Sequence, residues 1–122
     1  MLERDYDGMK AYVQSKLTQV SFTFELAERL DADGERGVTV TALHPATLMD
    51  TKMVRERFGR VRTKVDEGVE AVVHLAVGDD VAGMTGRYFD GLEESAAHAQ
   101  ASDPEARRRL WALSEELTGA RV

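Results

Sequence analysis

The stretch Ala11-Tyr12-Val13-Gln14-Ser15-Lys16 opens a run from Met9 to about Leu30 that contains neither proline nor glycine. Read as a helix, this run frames everything that follows. Residues four apart on a helix stand one above the other, so the Tyr12 phenol falls beside the Lys16 ammonium. A nearby positive charge favours the ionised phenol, and a phenol so tuned serves as a general acid or base near neutral pH. The spacing alone is met equally by an ordinary surface tyrosine beside a surface lysine. Tyr6-Asp7-Gly8-Met9-Lys10 repeats it just upstream, in a polar lead-in over residues 1–8.

The run carries two apolar stripes. Met9, Val13, Leu17, Val20, Phe24 and Ala27 form one, and Phe22, Leu26 and Leu30 form the other. A helix packed on one sheet needs a single stripe, so the second face is expected to meet another helix, such as that of a second subunit. Asp31-Ala32-Asp33-Gly34-Glu35-Arg36-Gly37 then breaks the helix with two glycines and four charges. Val38-Thr39-Val40-Thr41-Ala42-Leu43-His44 reads as a strand buried on both faces, being β-branched and free of acids and lysines. Pro45 stops it, having no N–H for a ladder. Helix, turn and buried strand make half of an α/β layer.

Farther on, Ala46-Thr47-Leu48-Met49-Asp50-Thr51-Lys52-Met53 reads as a loop or short helix. The basic run Arg55, Arg57, Arg60, Arg62 and Lys64 reads as a solvated face, with contact to phosphate groups as the alternative. Asp66 is placed to cap a helix through Val77 that turns Val69, Val72, Val73, Ala76 and Val77 inward. Thr85-Gly86-Arg87-Tyr88-Phe89 is predicted as a short strand between Gly83 and Gly91, and residues 93–102 as loop or weak helix. Asp103-Pro104 supplies a cap and a first-turn proline. A last helix carries Leu110, Leu113 and Leu117 with Trp111 on its flank, and Gly119 is placed to end it.

Composition narrows the function. The 122 residues carry a net charge of -6 and contain no cysteine. Nucleic-acid binding ordinarily needs a basic face, so none is expected, and disulfides and thiolate metal sites are excluded. No apolar run approaches the roughly 20 residues of a membrane span, and Met1 to Asp7 lack a signal-peptide core. The expectation is a cytoplasmic protein with no metal centre.

The order of elements carries more than any one motif. A Tyr-x-x-Ser-Lys helix, a buried strand ending in His-Pro, a loop with Thr51, a second helix and a Thr-Gly-Arg-Tyr-Phe strand follow one another. This succession, from about Gly8 to Thr118, resembles the C-terminal half of the short-chain dehydrogenase/reductase family. Tyr12-Val13-Gln14-Ser15-Lys16 looks like its catalytic motif, and His44-Pro45-Ala46-Thr47-Leu48-Met49-Asp50-Thr51 like its segment beside the nicotinamide. Leu110 to Gly119 is similar to the ends of retinol-dehydrogenase-like members. The resemblance favours Tyr12 over Tyr6, because only Tyr12 is followed by Ser-Lys and the long helix.

The resemblance implies that Tyr12 exchanges a proton with the substrate oxygen and that Lys16 lowers the tyrosine pKa and bonds the cofactor ribose. Pro45, Ala46, Thr47, Leu48 and Thr51 would line an NAD or NADP site. Two departures stand out: Ala46 replaces the usual glycine, and Thr51 comes one residue late. The family's Gly-x-x-x-Gly-x-Gly turn is absent, and no serine precedes Tyr12. The family's catalytic serine and relay asparagine lie in that upstream region.

The expected fold is therefore α/β, a single partial Rossmann-type domain over 1–122 with two parallel strands and three to four helices. The expected function is alcohol/carbonyl oxidoreduction on a small molecule, by a truncated chain inactive alone. The alternative is a non-catalytic dimerising domain descended from that family. Since phosphates are held by the first strand-turn-helix, the chain alone should bind the dinucleotide poorly. It should associate with itself through helix 9–30 or with a missing N-terminal half, and Met1 is compatible with a misplaced start codon.

Overall fold

A computed structural model describes residues 5–121, so Met1 to Arg4 of the polar lead-in lie outside the described residues. The elements are α1 (Gly8–Ala32), β1 (Thr41–His44), α2 (Lys52–Phe58), α3 (Val65–Val77), β2 (Arg87–Asp90), β3 (Glu93–Ser95), α4 (Ala99–Ser102) and α5 (Pro104–Thr118), with a 3-10 turn at Asp79–Val81. The fold is α/β, with five α-helices and a three-stranded mixed sheet among the described residues. These elements divide into two compact units, residues 39–96 and the combination of 5–38 with 97–121.

The second of these units is helical. Asp7 caps α1, its Oδ1 accepting the Lys10 N–H at 2.9 Å, which satisfies a donor the helix cannot. Ser21 and Glu25 are buried, and so are Thr23 and Ala27. At 3.6 residues per turn these pairs fall on opposite sides, so the C-terminal half of α1 is covered on two sides, but of the two apolar stripes only Ala27 is among the buried residues and Phe22 is exposed. Toward the N-terminal end of α1, Met9 and Val13 are exposed among the described residues. In α5, Asp103 and Pro104 start the helix and Gly119 ends it at φ 68°. The leucine stripe is not its packing face. Leu113 and Leu117 are exposed while Trp111 and Arg107 are buried, because the α1 surface they meet offers Phe22 and carboxylates.

Residues 39–96 hold the sheet. β1 pairs with β2 in parallel from Thr41↔Arg87 to His44↔Asp90, and β2 pairs with β3 antiparallel. The sheet therefore has three strands rather than the two expected, because Gly91, at φ 61°, turns the chain back into Glu93–Ser95. Strand 38–44 shortens to Thr41–His44 and is half-buried rather than buried. Its partner begins only at Arg87, and the Val40 N–H is taken by Thr85 Oγ1 at 3.0 Å. For the same reason the predicted strand 85–89 shifts to Arg87–Asp90, with Gly86 at φ 65° before it.

The largest correction concerns α3. It starts at Val65 after Lys64, without a side-chain cap from Asp66. Val69, Val72, Val73, Ala76 and Val77 are exposed, and Gly68 and Ala71 face inward instead. Met49 lies so close to Gly68 that any Cβ there would collide with its sulfur. Small residues thus allow close approach on one arc of α3 and leave the valines outside.

At the end of α3, His74 Nε2 lies 3.0 and 2.9 Å from the two Asp80 carboxylate oxygens. This hydrogen bond is the main reason the Asp80 carboxyl sits below its usual value. The folded chain holds the carboxylate, so the stabilisation is full above the unfolded-state pKa of about 3.9 and is lost as pH falls through the lower folded value. Thermal melts from neutral pH into acid should show the gap between wild type and Asp80→Asn closing as pH drops. A gap independent of pH would refute this.

Candidate functional site

The helical unit carries the Tyr12–Lys16 pair. Tyr12 is 47% exposed, and the Lys16 Nζ lies 5.5 Å from the centre of its ring. That is within the reach of a cation over an aromatic face. The Tyr12 carbonyl accepts the Ser15 hydroxyl at 2.6 Å, so Ser15 is turned onto its own helix. The i, i+4 geometry brings the two together, and both stand on an open stretch of α1. Tyr6 lies before the helix at 86% exposed.

The loop after β1 belongs to residues 39–96. Leu48 adopts φ 49°, a left-handed conformation costing a branched side chain about 1–3 kcal/mol and often found at functional sites. It is held there because its carbonyl accepts the N–H of Arg62 at 3.0 Å and of Thr63 at 3.4 Å. Thr63 Oγ1 also donates to the Thr47 carbonyl at 2.6 Å, and His44 Nε2 lies 3.1 Å from Thr47 Oγ1. Thr51 Oγ1 accepts the Val54 N–H at 3.4 Å and so caps α2. Arg55 bonds Asp50 and holds its carboxyl below the usual carboxylate range.

Pro45, Ala46 and Thr47 line a cavity of about 400 Å³, together with Arg62, Glu67, Glu70 and Asp90 among others. It opens where β1 and β2 end, the place where open parallel sheets bind ligands. Leu48 and Thr51, singled out with the other three, do not line it. Of the other lining residues, Arg62 belongs to the basic run read as a solvated face with phosphate contact as the alternative, and Glu67, Glu70 and Asp90 were not singled out. Of these three, only Asp90 carries a signal, as the last residue before the Gly91 turn. Tyr88 on β2 is half-buried, and burial first, then Asp90, pushes its phenol above the ordinary value.

The N-termini of α1, α3 and α5 are poorly suited to a dinucleotide's phosphates. A helix N-terminus attracts phosphate through free N–H groups and its positive dipole end. Here α1 is capped by Asp7, α3 has Asp66 and Glu67 in its first turn, and α5 begins with Asp103 and Glu105. At these three N-termini carboxylates occupy the place of the anion, whereas α2 starts from Thr51 with no acid in its first turn. Among the described residues there is also no cluster of His, Asp and Glu fit for a metal ion, and no helix long and apolar enough to cross a membrane.

With this geometry in hand, the relatives are informative. The chain is 37% identical over 131 residues to retinol dehydrogenase 13 of Homo sapiens, covering 95% of this chain and 38% of that protein. It is 33% identical over 129 residues to WW domain-containing oxidoreductase of Homo sapiens, covering 98% of the chain and 30% of that protein. Retinol dehydrogenase 12 of Homo sapiens is 31% identical over 128 residues, covering 98% and 39%. No family model and no solved structure matches the chain. Relatedness at this level along nearly its whole length makes the chain a homologue of the short-chain dehydrogenases/reductases. Within that class its matches are retinol dehydrogenases and their kin, of which it spans less than two-fifths of the length in the case of retinol dehydrogenase 13.

Proposed function

We propose that this chain is the substrate-side part of a short-chain oxidoreductase interconverting an alcohol and a carbonyl. The observation that carries the reading is the match to retinol dehydrogenase 13, with Tyr12 and Lys16 paired on an open face of α1. In this reading Tyr12 passes a proton to or from the substrate oxygen. Lys16 supplies the neighbouring positive charge that favours the phenolate. The cofactor would be NAD or NADP, with Lys16, Pro45, Ala46, Thr47, Leu48 and Thr51 on its nicotinamide side and the fold a partial Rossmann type. No hydride step is assigned to these residues.

The chain alone is accordingly expected to be inactive. Incubation with NADH or NADPH and a panel of ketones, and with the oxidised forms and alcohols, should give no turnover. Turnover that vanishes in Tyr12→Phe would overturn the expectation of inactivity and establish the tyrosine's role. The second reading, a non-catalytic dimerising domain, rests on the exposed Met9, Tyr12, Val13 and Phe22 of α1. A soluble monomer in light scattering at high concentration counts against it.

A further inference from the structure

Met49 ties the loop after β1 to α3. Its sulfur fills the space beside Gly68 so closely that a Cβ on that glycine would overlap it. Gly68 is buried, and Met49 is half-buried. Around this contact the backbone forms a short ladder. Met49 pairs with Thr63 in a parallel bridge. The Asp50 N–H donates to the Thr63 carbonyl at 3.0 Å, and the Leu48 carbonyl accepts the Arg62 N–H at 3.0 Å. These bonds hold Leu48 in its left-handed conformation, which persists only where the surroundings enforce it. Met9 and Met53, by contrast, are 41 and 58% exposed.

We propose that Met49 is an oxidation site through which a peroxide loosens residues 48–51 from α3. The sulfur attacks hydrogen peroxide with a lone pair, so that an S–O bond forms and the O–O bond breaks. The thioether is oxidised to the sulfoxide, and the peroxide is reduced and leaves as water. The product carries an oxygen on the atom that already fills the gap at Gly68. Glycine has no side chain to donate to that oxygen, and a buried acceptor without a partner costs free energy. The sulfoxide is therefore driven toward water, and the bridge to Thr63 loses the contact that backs it.

The loosening reaches the cavity wall. Thr63 Oγ1 donates to the Thr47 carbonyl at 2.6 Å, and Pro45, Ala46, Thr47 and Thr63 all line the cavity. Oxidation of Met9 or Met53 places its oxygen in solvent and has no such leverage. Enzymatic reduction of the sulfoxide returns the sulfur to Gly68. Nothing in this device depends on the oxidoreductase reading.

The test treats the 122-residue chain with hydrogen peroxide and locates the oxidised methionines by mass spectrometry of tryptic peptides, Lys52 separating Met49 from Met53. Oxygen is expected at Met49, and the amides of Asp50, Arg62 and Thr63 should then exchange about tenfold faster or more as local opening becomes easier. Methionine sulfoxide reductases should reverse the change. In Met49→Leu, a swap that conserves volume and removes the sulfur, peroxide should leave these amides unchanged. Met9→Leu with Met53→Leu should respond as the wild type does, and reversal by the reductases in that double variant keeps the test decisive should Met49→Leu not fold. Met49 that stays reduced while Met9 and Met53 are oxidised overturns the proposal, as does oxidation at Met49 that leaves the three amides unchanged. Faster exchange in peroxide-treated Met49→Leu also overturns it, because another methionine then carries the effect.

Discussion

Trp111→Ala is expected to lower the free energy of unfolding by about 3–5 kcal/mol, the range for truncating a buried aromatic. The ring is 5% exposed. It stacks on Phe22 with centroids 4.9 Å apart and planes 11° from parallel. Such pairs add about 0.5–1.5 kcal/mol beyond the area they bury. The Arg29 guanidinium sits 4.4 Å over the same ring, and the indole N–H donates to Glu115 at 3.1 Å. One side chain therefore joins α5 to α1 through a stack and a cation, while its hydrogen bond stays within α5. Marginal stability makes such a loss a large fraction of the total. Urea unfolding followed by far-ultraviolet circular dichroism measures it without relying on the lost fluorophore. Trp111→Phe keeps the stack and should lose much less, and a loss under about 1 kcal/mol for alanine, the typical value for any substitution, would show that the ring is not the anchor.

The importance of Trp111 was hidden in the sequence by its neighbours. Leu110, Leu113 and Leu117 make the more obvious stripe, yet Leu113 and Leu117 are exposed. The same inversion occurs in α3, where Gly68 and Ala71 are buried and the valines are not. Hydrophobic periodicity says which residues want burial, not which partner is on hand to bury them. Where local chemistry decides, the sequence was legible. Asp103, Pro104 and Gly119 bound α5 through caps that need no tertiary partner, whereas the Asp7 cap of α1 went unread in the polar lead-in. Gly91 turned β2 into β3 unpredicted, because Glu93 and Glu94 do not look like strand formers.

The candidate site was legible to a different degree in each unit. Tyr12 and Lys16 meet because they are four apart on one helix, a relation fixed by local geometry. The cavity beside Pro45, Ala46 and Thr47 needs Arg62 from the loop before α3, Glu67 and Glu70 from α3, and Asp90 from the end of β2. No spacing in the sequence announces that convergence. It arises from the parallel β1–β2 ladder, which brings Asp90 opposite His44, and from the bonds that Leu48 and Thr47 receive from Arg62 and Thr63.

Arg107→Ala should destabilise the chain by about 3 kcal/mol, the lower end of the 3–5 kcal/mol for removing one partner of a buried ion pair. Arg107 is 9% exposed and Glu25 5%. Its guanidinium lies 2.5 Å from Glu28 through Nη2 and 3.5 Å from Glu25 through Nε, and Nη1 donates to the Ser102 carbonyl at 3.0 Å. Removing it leaves the Glu25 carboxylate buried and the Ser102 carbonyl without that donor. The lower end applies because Arg29 still holds Glu25 at 2.8 Å. Equilibrium urea unfolding should show a lower midpoint with an unchanged slope. Glu25→Leu with Arg107→Met removes the charges together, and since well-packed apolar replacements of buried pairs are often neutral or better, it should recover most of the loss. If the double variant falls as far as the sum of the two single ones, the two residues act independently and the bridge between α1 and α5 is not what their burial stabilises.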